Sequence, residues 1–235
     1  MTKNYDQTKI RWATEDDRIA TPEALVQLVN TAYTVAERGL VQPGDGGVVW
    51  RLTVDQARRH VQRMEMIVLL EIHCQDNNDG TDEKLCGCVT VQKLDDEANV
   101  GEWGCLAVHP DAQGKGYRRQ LVEAAEEALI RNHACSTLQL LFLNFAHTLP
   151  EYHSSVPLSS SDRNDTAFRT EETQNNRHYK ERMARWYTQT WGYIAQPTRA
   201  KHFPAHSSFA HLHHMHVYLA ADATLTPFRK HVSVG

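Results

Sequence analysis

The chain has 235 residues, enough for one domain of somewhat above average size, and 41% of them are hydrophobic, spread over many short runs that can build a core. The formal charge of −4, from 25 basic and 29 acidic residues without a basic block, argues against an electrostatic nucleic-acid footprint. Met1 to Gln7 is polar with no apolar signal-like core, and no window approaches the roughly 18 to 20 apolar residues that span a bilayer. A soluble, cytoplasmic protein is the expectation.

In chain order, residues 9–13 read as a first strand. Thr21-Pro22-Glu23 then supplies an N-cap, a first helical position and a first-turn acid. Leu25, Val26, Leu28, Val29 and Ala32 recur at helical spacing behind it, to Tyr33. Residues 42–47 form a loop. A second helix starts at Thr53, with Asp55 and Gln56 in its first turn, and runs to about Met64. Strands follow over Met66 to His73 and Leu85 to Leu94, separated by an acidic loop over 75–83 that lacks the ligand pattern of a calcium loop. Val100 to Val108 reads as a strand, Pro110 to Tyr117 as a turn and Tyr117 to Asn132 as a helix. Tyr117, Leu121, Val122, Ala125 and Leu129 make up that helix's apolar stripe. A buried strand over Thr137 to Leu143 precedes a polar, turn-rich stretch at 145–178, read as an inserted loop and a candidate lid. A last helix over Tyr179 to Thr190 leads to strands around Tyr193 and 211–220.

Five cysteines, Cys74, Cys86, Cys88, Cys105 and Cys135, form no even disulfide framework and are expected to be free thiols; Cys86 and Cys88 would share one strand face. Of the 14 histidines, His206, His211, His213, His214 and His216 crowd one stretch. Alternation splits them between two faces, so pocket or surface histidines are expected there and no metal.

The chemistry is concentrated at Gly101 to Val122. Read physically, this is a strand, a glycine-bearing turn and a helix N-terminus, which directs backbone N–H groups at one point beside a positive dipole end. A diphosphate suits such a cradle. Gly114 and Gly116 let the main chain come close, while Lys115, Arg118 and Arg119 add positive charge at the rim.

Neither the Walker nor the dinucleotide glycine signature is present. The run Leu106-Ala107-Val108-His109-Pro110, followed by Gln113-Gly114-Lys115-Gly116-Tyr117, instead resembles the acetyl-CoA motif of the GNAT superfamily of N-acetyltransferases. Gln113 and Gly116 stand at the first and fourth positions of its Gln/Arg-x-x-Gly-x-Gly/Ala pattern, and Arg118 replaces the small sixth residue. Ile10 to Asp17 resembles the family's opening strand and helix start. Trp186-Tyr187 and Trp191-Gly192-Tyr193 resemble its closing helix and Gly-aromatic turn.

The resemblance implies an α/β (α+β) fold: one domain over 1–235, with a mixed, mostly antiparallel sheet of six to seven strands and about four helices. It implies acetyl-CoA as co-substrate, held by Leu106, Ala107, Val108, Gln113, Gly114, Lys115, Gly116, Tyr117, Arg118 and Arg119. Asn144 is a further candidate contact, against the plainer reading of a strand-end asparagine. The pantetheine arm would bond the strand at Leu106 and Val108, which would splay from the strand after Cys135. Glu102 is the candidate base, with burial beside Trp103 expected to raise its pKa, against an edge glutamate facing water. Tyr187 is the candidate acid, although Thr188 occupies the strict spacing and Tyr187 could serve packing alone. The expected acceptor is a small-molecule amine. The alternatives are a protein lysine or N-terminal amine, and a non-catalytic acyl-CoA-binding module. A monomer or homodimer is expected, with no nucleic-acid or membrane partner.

Overall fold

A computed structural model describes residues 7–37, 41–42, 51–74, 81–95, 97, 99–145, 178–203, 218–219 and 223–233. The elements are β1 (Gln7–Trp12), α1 (Pro22–Ala36), β2 (Val41–Gln42), α2 (Val54–Gln62), β3 (Met66–Cys74), β4 (Thr81–Lys93), β5 (Val100–Val108), α3 (Tyr117–Arg131) and β6 (Thr137–Phe145). They continue with α4 (178–189), β7 (Ile194–Ala195), β8 (Lys201–Phe203), β9 (Tyr218–Leu219) and β10 (Ala223–His231). Eight strands belong to a mixed, mostly antiparallel sheet, and β2 with β9 forms a separate ladder. This is the expected architecture, with more strands than foreseen. The chain divides into two compact units, residues 1–32, 51–139 and 231–235 in the first and 33–50 and 140–230 in the second.

In the first unit β1, β3, β4 and β5 pair antiparallel in succession, and the start of β6 runs parallel to β5. Helix α3 lies across this sheet on its foreseen stripe: Leu121, Val122, Ala125 and Leu129 are all fully buried. Each buried leucine contributes roughly 1.5–3 kcal/mol. The helix approaches closely because two strand positions carry no side chain. A Cβ at Gly87 would sit 2.8 Å from Leu121 Cδ1, and one at Gly101 would sit 2.7 Å from Leu129 Cδ2.

Two helix starts follow from their sequences. Thr53 caps α2 in a reciprocal box, its Oγ1 accepting from Gln56 N at 3.3 Å while Gln56 Oε1 accepts from Thr53 N at 2.7 Å. Thr21 Oγ1 accepts from Ala24 N at 3.2 Å at the head of α1. Buried Asn30 then ties α1 to the segment before α2. Its Oδ1 accepts from Arg51 N at 2.8 Å and Leu52 N at 3.0 Å, and its Nδ2 donates to Leu52 O at 3.0 Å.

In the second unit β10 pairs antiparallel with β7 and with β8. Gly192, at φ 72°, turns the chain out of α4, as the Gly-aromatic motif requires. Lys180 donates to Glu37 at 2.7 Å inside this unit, and the Glu37 side chain is fully buried.

Some expectations need correction. Strand β4 begins at Thr81, so residues 81–83 are strand and not loop. Strands β8 and β10 were not foreseen; Pro227 within β10 argues against a strand from sequence alone. Asn144 lies inside β6 and not past its end. The polar run at 146–177 and the histidines at 206–216 lie outside the described residues. Among the described residues, no helix is long and apolar enough to cross a membrane.

Candidate active site

The glycine turn has the backbone that its sequence demands. Gly114 and Gly116 both sit at φ 82°, left-handed conformations that an L-residue adopts only with strain. Among the described residues, nothing lies within 4 Å of where a Cβ would stand at either position, so the main chain faces open space there. Gly116 is the N-cap of α3 without a side-chain cap, and the helical ladder starts with Arg119 N donating to Gly116 O at 3.0 Å. The N–H groups ahead of that bond belong to the helix turn that has no intrahelical acceptor. An open, left-handed two-glycine bend at a helix head fits a diphosphate.

The flanking side chains are less available than the sequence implies. Gln113, Lys115 and Arg119 are exposed, but Arg119 Nε pairs with Glu123 Oε1 at 2.9 Å along its own helix. Lys115 Nζ reaches back to the sheet and donates to Glu71 Oε1 at 2.6 Å, and the Tyr117 hydroxyl donates to the same oxygen. Glu71 is 3% exposed. Burial alone would raise the pKa of its carboxyl; the bonds from Lys115 and Tyr117, with the lysine charge, outweigh this and hold it below the ordinary value. Tyr117 therefore offers a ligand its backbone, while its ring faces the core.

Strand β5 carries the second part. Its pairing with β4 passes from Cys88↔Ala107 to Thr90↔Gly104, so two residues, Cys105 and Leu106, stand opposite Val89. This is a β-bulge, with Cys105 at φ 44°. A bulge takes main-chain groups out of the regular ladder, here at Leu106, where the pantetheine arm was expected to bond the strand. The parallel register of β5 with β6 covers Val100↔Thr137 to Glu102↔Gln139, although β5 continues to Val108.

Glu102 is 7% exposed, so it is not an edge residue facing water. Its Oε1 accepts from Gln92 Nε2 at 3.3 Å and its Oε2 from Gln139 Nε2 at 2.8 Å. Both glutamines are its cross-strand partners, forming one row over β4, β5 and β6. Gly101 faces α3, so alternation puts Glu102 on the other face. The Cys105 thiol is pushed up by burial, against the pull of the Arg51 charge and the Thr90 hydroxyl, and it also feels Glu102.

In the second unit Tyr187 is 3% exposed, with its ring edge-on to Phe142 at 6.1 Å between centroids. Thr188 is exposed, and its hydroxyl donates to Ala184 O and Arg185 O of its own helix, both at 3.1 Å. Of these two neighbours, Tyr187 is the one turned inward. The side chain of Asn144 lies outside the described residues.

The acetyltransferase (GNAT) family model matches residues 52–153. That segment is a GNAT acetyltransferase domain. It holds the glycine bend, the bulged strand and Glu102. No curated protein matches the sequence. Among solved structures, NAA60 of Arabidopsis thaliana, in complex with a bisubstrate analogue, is 8% identical, with 97% of this chain and 100% of that one covered, at a TM-score of 0.51. The NatC complex bound to Gag peptide and CoA is 14% identical, with 97% and 99% covered, at 0.50. N-acetylglutamate synthase from Neisseria gonorrhoeae, complexed with coenzyme A and N-acetyl-glutamate, is 21% identical over 70% of this chain, at 0.40. The chain spans 33% of that synthase's length.

Glu71, the two glutamines around Glu102, Asn30 and the bulge were not foreseen from the sequence. Only the bulge has a local hint, the Gly104-Cys105 step. Among the described residues no cluster of three or more His, Cys, Asp and Glu side chains is arranged for a metal. Cys86, Cys88, Cys105 and Cys135 are free thiols. Cys86 and Cys88 do not line up as their spacing predicts. An irregularity between Leu69 and Leu70 shifts the ladder there, so the Cys86 thiol meets Glu71 while that of Cys88 lies near Cys105.

Proposed function

We propose that the chain moves the acetyl group of acetyl-CoA onto the primary amine of a small molecule. The observation that carries this reading is the open bend at Gly114 and Gly116, both at φ 82°, at the head of α3 within a GNAT segment. In this reading the diphosphate lies on the main chain of Gly114 to Arg119, and the pantetheine arm follows β5 at Leu106 to Val108. Gln113 and Asn144 are further contacts.

An alkyl amine, with a pKa of about 10.4, arrives protonated and must lose a proton before it attacks. Glu102 is the base, directly or through one water. Its amide partners can serve either protonation state, because a glutamine offers both a donor and an acceptor. The amine nitrogen then bonds to the thioester carbon, and the oxyanion is met by the amide of the bulge near Leu106. The C–S bond breaks, the leaving thiolate takes a proton from Tyr187, and the second proton shed by the acylated nitrogen restores the tyrosine through solvent. The enzyme is read as cytoplasmic, a monomer or homodimer, and without a metal.

A second reading, transfer to a protein lysine or N-terminal amine, is supported by the end-to-end match to NatC, which was solved with a peptide. A screen of small amines against peptides, scored by release of free thiol from acetyl-CoA, tests both. Turnover with small amines alone supports the first reading, and turnover with peptides alone supports the second. No thiol release with any acceptor would leave an acyl-CoA-binding module.

A further inference from the structure

One buried carboxylate in the first unit holds both sides of the glycine bend. Glu71 Oε1 accepts from Lys115 Nζ at 2.6 Å and from the Tyr117 hydroxyl, so residues immediately before and after Gly116 are fastened to the same atom of β3. His73 Nε2 stands 3.5 Å from Glu71 Oε2, and the Cys86 thiol lies beside the carboxylate. Among the described residues, nothing lies within 4 Å of a Cβ built at Gly114 or Gly116, and no side chain caps α3. Two glycines in succession around one residue give the segment large conformational freedom. A site in which N–H groups must converge loses affinity if the ligand has to order it.

We infer that Glu71 is a positioning residue for acetyl-CoA: through Lys115 and Tyr117 it holds the Gly114–Gly116 bend in its gripping shape before the ligand arrives. The inference rests on the cofactor-cradle reading above. It assigns Lys115 a different duty from the one its sequence suggests. Its ammonium is compensated by Glu71 and serves as a tether, leaving the diphosphate to the main chain.

The test compares the intact protein with Glu71→Gln and Tyr117→Phe; the second removes one of the two bonds with little change in shape. Glu71→Gln is expected to raise the KM for acetyl-CoA about tenfold, with kcat and the amine KM within about twofold. Tyr117→Phe is expected to raise the acetyl-CoA KM about threefold in the same pattern. Without any ligand, amide hydrogen exchange over 114–118 should quicken in both variants while that of β3 and β4 holds. An acetyl-CoA KM that is unchanged or lowered in Tyr117→Phe, with unaltered exchange at 114–118, overturns the inference even if Glu71→Gln fails to fold. Direct titration of the unmodified protein separates the two claims. No binding of acetyl-CoA there removes the cradle itself, whereas binding that both variants match removes only the role of Glu71.

Discussion

Glu71 and Glu102 are both buried in the first unit, and the hydrogen bonds seen at each differ in kind. Glu71 meets a lysine ammonium and a phenol on the side of the sheet that α3 covers. Glu102 meets two neutral amides, from Gln92 and Gln139, on the opposite face. A carboxylate locked to a cation is a fixed anion, suited to holding a loop. The same residue type is bonded by an ammonium and a phenol in one place and by glutamine amides in the other.

The largest effect should come from the amide-held residue. Glu102→Gln is expected to lower kcat by about 10²- to 10⁴-fold while acetyl-CoA affinity holds. Steady-state rates beside a binding titration check it, and equal loss of affinity would erase the contrast with Glu71. Tyr187→Phe extends the test to the second unit. A drop in kcat of roughly 10- to 100-fold is expected if its hydroxyl supplies the thiol proton, and unchanged kcat would return Tyr187 to packing against Phe142. Gln139→Leu sharpens the comparison, because it strips one amide from Glu102 without touching the cradle. A several-fold fall in kcat, about 1 kcal/mol in the barrier, is expected with the acetyl-CoA KM unchanged.

A third carboxylate acts on stability alone and leaves the site untouched. Burial would raise Asp17, but the bond from Arg11 and those from the N–H groups of Ala20 and Ile19 lower it from 3.8 to about 2. Because the folded value lies below the unfolded one, this contribution is complete above about pH 4 and is lost as pH falls toward 2. Denaturant unfolding at pH 7 and pH 3 should show Asp17→Asn costing about 1–2 kcal/mol at the higher pH and less at the lower. An equal cost at both would contradict the depressed value.

What the sequence disclosed was local. The bounds of β5, the stripe of α3 and the cap at Thr53 each follow from spacing within one segment, and the left-handed bend follows from its two glycines. What it hid was pairing across distance. Glu71 lies 46 residues before Tyr117, and only the sheet brings them together. Gln92 and Gln139 become partners of Glu102 through register alone. The bulge at Cys105 arises from a register mismatch between β4 and β5, of which the Gly104-Cys105 step gives only a hint. Pro227 hid β10, since a proline normally argues against a strand interior.

The central claim, that the bare bend before α3 grips acetyl-CoA, is tested most directly by titration calorimetry on the intact protein and on Gly116→Val. Valine at φ 82° strains the bend by about 1–2 kcal/mol and presents a branched side chain where the ligand would lie. The account predicts saturable acetyl-CoA binding to the unmodified protein, weakened at least about tenfold in the variant while its melting shows it folded. Equal affinity in the two proteins, or no heat of binding in either, would contradict it.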